Sequence, residues 1–522
     1  RKSIHKRHMN KPFFLSMLLG LCCFCLSHAL AQDMQNYSFV HINNENGLSQ
    51  SNVKAIIQDS YGFMWFGTKN GLNRYDGKSV VQFNCNDYTL NRSNHNISAL
   101  FEENERTLWV GTDEGVYRYD PITDVFSFFD LKTAQGEMIT TWVSQFERDK
   151  NGNIWIVIPS QGIFRYDHKK LHVYRPEPTP IPHNICICDN GDIYSVAWYT
   201  GLFKFDRQKN IFRQITKDAT GRSLLNIETN TLCQQGDYLI MAIQNGEMKK
   251  YNFKKNLLED ITLQDFKHTF VRGAAVYGDE IWVYTYDGLY VLNEKTRSVR
   301  CFRQDLLHPG SLSDNIVYSS YRDREGGTWI GTMYGGVNYL SNSTIHFNKY
   351  IPGYSPNTLS SKRIREITED GDGNIWIGTE DAGISILSLK DRHITRYSPP
   401  NSKYDTHVTL AIGSFYGKTY CSLYKDGLMV VNKNGQTNFY KYDDLNISLD
   451  GYSIYALYVD KQETLWVGTD YGLYYAPKGS MHFTPVKELA GSWIFDIMQD
   501  KNGVFWLATM GKGVWKCDLK NK

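Results

Sequence analysis

The stretch Asp59-Ser-Tyr-Gly-Phe-Met-Trp65-Phe-Gly-Thr68-Lys-Asn-Gly-Leu-Asn-Arg-Tyr-Asp76, with the run before it, reads as a strand, a turn, a strand, a Gly turn and a third strand. It returns, altered, ten more times. Aligned on the Trp, the copies sit at Trp65, Trp109, Trp155, Tyr194, Leu239, Trp282, Trp329, Trp376, Tyr420, Trp466 and Trp506. The gaps between them are 44, 46, 39, 45, 43, 47, 47, 44, 46 and 40 residues. A period of this size in β-patterned sequence is the length of a β-propeller blade.

Six copies carry Trp-x-Gly/Ala-Thr, ending at Thr68, Thr112, Thr332, Thr379, Thr469 and Thr509. Seven have an acidic residue six before the Trp: Asp59, Glu103, Asp149, Asp323, Asp370, Asp460 and Asp500. Several add a Gly three residues later, which predicts a hairpin turn. Twelve before the Trp lies an apolar residue: Val53, Ile97, Val143, Phe270, Val317, Ile364, Ile454 or Ile494. The strand it opens is rich in β-branched residues in the first unit and is expected to be innermost. The Trp is expected to pack against the neighbouring blade. The repeated Trp, Thr and Asp residues are therefore scaffold rather than a site. The weakest unit, residues 224–267, has Leu239 in place of Trp and counts as a blade because omitting it leaves an 88-residue gap.

Trp65 to Trp376, Trp109 to Tyr420 and Trp155 to Trp466 are each 311 residues apart, and Tyr194 to Trp506 is 312. This super-period of seven predicts an all-β chain: a seven-bladed propeller over 32–343, then the first four blades of a second over 344–522. The strand Tyr37–Ile42 has no blade of its own. It is expected to be the outer strand of the blade built around Trp329, closing the ring and hiding two sheet edges. Residues 345–350 would begin the second propeller in the same way, with three further blades expected beyond residue 522.

Residues 1–31 read as upstream residues and a secretory signal: Met9, Lys11, an apolar run from Phe13 to Leu26, and Ala29-Leu-Ala31 before the cleavage point. Without them the chain carries 52 basic against 55 acidic residues, a net charge of −3. There is no basic block, so no nucleic-acid partner is expected for this region. Membrane attachment is expected only through segments absent from this sequence. Seven Cys remain after the signal and match no disulfide framework; Cys186 and Cys188 share a strand face and read as buried small hydrophobes. No phosphate-binding loop, zinc-protease motif or nucleophile elbow is present. Asp370-Gly-Asp-Gly373 resembles a calcium loop but lacks its later ligands. No catalytic residue, metal or cofactor is expected.

A propeller offers its rim. Loops from an outer strand to the next inner strand, and from second to third strand, meet on one face. The ligand-binding candidates there are Trp142, Trp198, Tyr199, Tyr286, Tyr334, Lys362, Arg363, Tyr452 and Trp493. Aromatic faces stack on sugar rings, and flanking polar groups bond hydroxyls.

The signal, Gly47-Leu-Ser49 and the repeated Asp-x-x-Gly-x-x-Trp-x-Gly-Thr-x-x-Gly-Leu-x-x-Tyr resemble the regulator-propeller repeats of hybrid two-component sensor kinases from glycan-degrading bacteria. The resemblance implies a periplasmic sensor region, an oligosaccharide ligand, a homodimer in the full-length protein and a histidine kinase beyond the residues given. Two other readings stay open: a secreted propeller scaffold for protein interaction, and a polysaccharide lyase or glycosidase.

Overall fold

The computed structural model describes residues 37–522 except 88–91, 133–135, 137, 176–180, 262–268, 343–349, 354–355, 400–407, 447–452 and 520–522. The signal, the segment 345–349 and Tyr452 lie outside the described residues. Each of the eleven repeats forms one antiparallel sheet; ten have four strands and the last has three. The blades span residues 53–83, 97–129, 145–174, 182–214, 229–261, 271–302 and 317–340, then 364–397, 409–440, 454–485 and 494–517, and are numbered 1 to 11. The residues group into two compact units, one running to residue 346 apart from 307–309 and the other comprising the remainder.

The first unit is a closed ring. Val40–Ile42 pairs antiparallel with Val337–Leu340, Val40 opposite Tyr339 and Ile42 opposite Val337, and supplies the fourth strand of blade 7. The first strand of every blade neighbours the first strand of the next, and that of blade 7 neighbours that of blade 1. A separate apolar cluster fills each of the seven interfaces between successive blades. Blade 5, the weakest in sequence, has the same four strands as the rest.

The repeat residues hold this arrangement together. Each Trp or its equivalent sits on the second strand. Trp65, 1% exposed, lies 5.6 Å from the Tyr119 ring of blade 2. Its indole Nε1 donates to Asp59 Oδ2 at 2.7 Å. The same bond joins Trp109 to Glu103, Trp155 to Asp149, Trp329 to Asp323, Trp376 to Asp370, Trp466 to Asp460 and Trp506 to Asp500. The acidic residue therefore does more than shape the turn, since it satisfies an indole N–H that blade packing takes out of water. The Gly between Trp and Thr has a separate cause. A Cβ on Gly67 would stand 2.6 Å from Ile97 Cγ2 of blade 2, and one on Gly331 2.6 Å from the Val53 carbonyl oxygen of blade 1.

One expected first-strand position needs correction, and Ile364 opens its strand as expected but on an exposed face. Phe270 is not the buried opening residue of blade 6: it is 41% exposed, and Val271 is buried. Tyr277 pairs with Glu280 across a two-residue turn, whereas Gln58 pairs with Met64 across five, so the spacing to the Trp shortens. Ile364 of blade 8 is 39% exposed, whereas its counterpart Val53 is fully buried against blade 7.

Candidate functional site

Strand register sets where the functional groups gather. Val53 pairs with Thr68, Ile97 with Thr112, Val271 with Thr285 and Val317 with Thr332. The entry to each first strand thus lies beside the turn from second to third strand, at one end of the ring. One residue into the first strand the register slips. The bulged residues are Lys54, Ser98, His183, Asn230, Arg272 and Tyr318 in the first unit. In the second they are Arg365, Leu410, Tyr455 and Phe495. A bulge re-aims its side chain, here around the mouth of the channel.

Small bulged residues stitch neighbouring blades. Ser98 Oγ donates to the Val143 carbonyl at 2.6 Å, and Asn230 Nδ2 to the Val271 carbonyl at 2.5 Å. Larger ones build a surface. The Arg272 guanidinium lies 4.0 Å from the Tyr318 ring centroid and 5.3 Å from that of Tyr286. Its Nη1 donates to Tyr286 Oη at 2.7 Å. Phe270 meets Tyr286 edge-on at 4.9 Å. Tyr286 and Phe270 remain 42% and 41% exposed.

Of the sequence candidates, Tyr286 therefore belongs to an aromatic and cationic cluster spanning blades 6 and 7. Trp198 stacks on the buried imidazole of His183 at 5.0 Å and is partly a packing residue. Burial pushes His183 down to about 4, so it is neutral at pH 7. Tyr199, 66% exposed, holds a left-handed backbone (φ 64°) at the same turn of blade 4. Trp142 precedes the first strand of blade 3 and is 40% exposed. No contact joins these three to the Arg272 cluster among the described residues. Tyr334 lines a different feature, a polar recess of about 380 Å³ bounded by His41, Asn43, Glu45, Ser51 and Ser313 beside the ring-closing strand.

In the second unit Trp493 stacks on Tyr455 at 6.0 Å, with Phe495 5.0 Å from the same ring and Arg365 5.9 Å from it. Arg363 lies 3.9 Å from Asp381, and Lys362 is exposed. Sequence reasoning missed Arg272, Tyr318, Phe270, Arg365, Tyr455 and Phe495. The residue after the opening apolar position marks Tyr318, Arg365, Tyr455 and Phe495; Arg272 and Phe270 escape it because the spacing put Phe270 rather than Val271 at the opening of blade 6.

Among the described residues no group of three His, Cys, Asp or Glu could hold a metal ion, and all seven Cys are free. Asp370 is occupied by the amides of Asp372 and Asn374 and by the Trp376 indole, as a turn residue. Glu147 sits deep between blades 3 and 4, where burial pushes it up to about 7 against a hydrogen bond from Gln145.

The closed seven-bladed ring, followed by four further blades, defines a β-propeller protein. The family model of the two-component regulator propeller matches residues 47–70, 311–334, 358–381, 448–471 and 488–511. No curated protein sequence matches the chain. A crystal structure assigned to the extracellular domain of the hybrid two component system BT3049 of B. thetaiotaomicron superposes with a TM-score of 0.60 at 19% identity. The match covers 93% of this chain and 66% of that one, so this chain spans just under two thirds of its length. The corresponding domain of BT4673 from the same organism matches at 21% identity and a TM-score of 0.49, over 93% of this chain and 72% of that one. At these identities the likeness is one of fold.

Proposed function

We propose that the chain is the extracytoplasmic ligand-sensing region of a two-component sensor kinase, and that it binds an oligosaccharide at the channel mouth of the first ring. The observation that carries this reading is the Arg272–Tyr286–Tyr318–Phe270 cluster. It presents half-exposed aromatic rings and hydrogen-bonding groups at an opening, on a scaffold built from regulator-propeller repeats. Such groups can take the apolar face of a sugar ring and its hydroxyls together. The extracellular placement of the similar solved domains supports a periplasmic location.

Signalling follows from differential binding. A sugar that binds one arrangement of the full-length dimer better than another shifts the kinase equilibrium by that difference in affinity. The second unit is the start of a further propeller in the same sensor region. Titration calorimetry of a panel of plant and host oligosaccharides against the chain tests the reading. One class is expected to bind, and Tyr286→Ala is expected to weaken it about tenfold, or roughly 1.4 kcal/mol. Binding by no oligosaccharide, or no effect of Tyr286→Ala, overturns it.

A further inference from the structure

The mouth of the first ring is chemically lopsided. Going round its bulged positions, Lys54 of blade 1, Tyr318 of blade 7 and Arg272 of blade 6 are consecutive. The other residues bulged at the entry of a first strand are Ser98, His183 and Asn230, so no acid occupies a bulged position at this end of the ring. Lys54 Nζ donates to Asn96 Oδ1 at 3.0 Å, a neutral acceptor. The Asn96 amide passes on to Asp113 Oδ2 at 2.7 Å, so a neutral amide stands between Lys54 and this carboxylate. Arg272 bonds a phenol and lies against two rings, and no carboxylate pairs with it among the described residues. Asp314, at the entry to blade 7, accepts from the backbone amides of Ile316 and Tyr334, and Asp287 pairs with Arg303.

The Lys54 ammonium is held under stress. Burial pushes the Lys54 ammonium down, the Asp113 charge partly restores it, and Lys69 and Arg272 push it down further. An anion entering between Lys54 and Arg272 would relieve that repulsion. It would also meet the Arg272 guanidinium fork, whose geometry suits carboxylate and sulfate oxygens.

We infer that the first ring selects an acidic oligosaccharide, whose carboxylate or sulfate group sits between Lys54 and Arg272 while a sugar ring lies against Tyr286 and Tyr318. This rests on the sensing role proposed above and narrows it to one ligand class. Neutral oligosaccharides lack the group that the two cations await.

The experiment is titration calorimetry of the full chain with three matched sets: neutral oligosaccharides, uronic-acid oligosaccharides and sulfated oligosaccharides. Binding is expected from an acidic set, with uronate against sulfate distinguishing the two anions. The affinity is expected to fall with added salt, to drop at least tenfold in Arg272→Gln, and to recover in part in Arg272→Lys. Retention of the wild-type melting temperature by both variants separates this from misfolding. Lys54→Met is an independent second variant, expected to weaken acidic ligands alone. Binding of neutral oligosaccharides in preference to acidic ones overturns this inference and leaves the sensing role standing. So does acidic binding that neither Arg272→Gln nor Lys54→Met disturbs. Binding of none of the three sets overturns the sensing role, and this inference with it.

Discussion

At the residue scale, the recurring Trp–carboxylate bond decides how much each blade contributes. In blade 3, Asp149 accepts from the Trp155 indole at 2.9 Å, from the amides of Asn151 and Asn153, and from the Asn153 side chain. Burial alone would raise this carboxyl, and those hydrogen bonds outweigh it and hold it below the usual range. Asp149→Ala strands a buried indole N–H and is expected to cost about 1–3 kcal/mol. Asp149→Asn, which can still accept, is expected to cost less. Chemical denaturation of the first ring measures both, and equal midpoints for wild type and Asp149→Ala would refute the role. The pH dependence has a definite sign. A carboxyl depressed in the folded state stabilises it fully above the unfolded value, about 3.9, and that stability is lost as pH falls through the lower folded value. Asp370 and Asp500 are depressed as well, so an acid limb below about pH 4 is expected in both units. The six-residue spacing behind this bond was plain in the sequence. Its meaning was not, because the spacing shows the turn and only the hairpin shows the indole folding back over it.

At the element scale, blades pack face to face, and small residues mark where they come closest. The Gly67 site faces Ile97, which is fully buried. Gly67→Ala is expected to destabilise the ring by about 1–3 kcal/mol through overpacking. Ile97→Ala in the same chain removes the Cγ2 that the new methyl would strike and is expected to recover part of that loss, so the double-mutant cycle gives a coupling of about 0.5 kcal/mol or more. Strict additivity of the two changes would contradict the contact. Blade count, strand order and the ring-closing role of the N-terminal strand were all legible, because each depends on spacing repeated many times. The bulges were not. A bulge breaks the in–out alternation by a single residue, too short a signal to read in a six- or seven-residue strand, so Arg272 and Tyr318 looked like ordinary strand positions. Their meeting joins residues of adjacent blades 46 positions apart, and nothing in the local pattern of either announces it.

At the scale of the whole molecule, the two units differ in how their apolar faces are covered. Every interface of the first ring is filled. In the second unit Ile364 and Ile367 of blade 8 are 39% and 58% exposed, and Met498 and Val514 of blade 11 are 54% and 68% exposed. The corresponding Val53 and Ile56 are buried in the first ring. Four blades meeting at three interfaces hold less buried area per blade than seven meeting at seven, and stability in stacked repeats follows such interfaces. Calorimetry of this chain is therefore expected to show two transitions, with the second unit melting first. A single transition, or earlier loss of the first ring, would contradict this. Removal of residues up to 42 is expected to bring the first ring's transition down towards the second's, since it uncovers Val337–Leu340 as an edge.

The central claim is that the mouth of the first ring is where the ligand binds. Hydrogen–deuterium exchange of the chain with and without a saturating acidic oligosaccharide tests it most directly. The prediction is slowed exchange in the segments around residues 270–274, 284–288 and 316–320, with the second unit unchanged. Protection confined to the second unit, to the recess beside Tyr334, or to neither ring would contradict it.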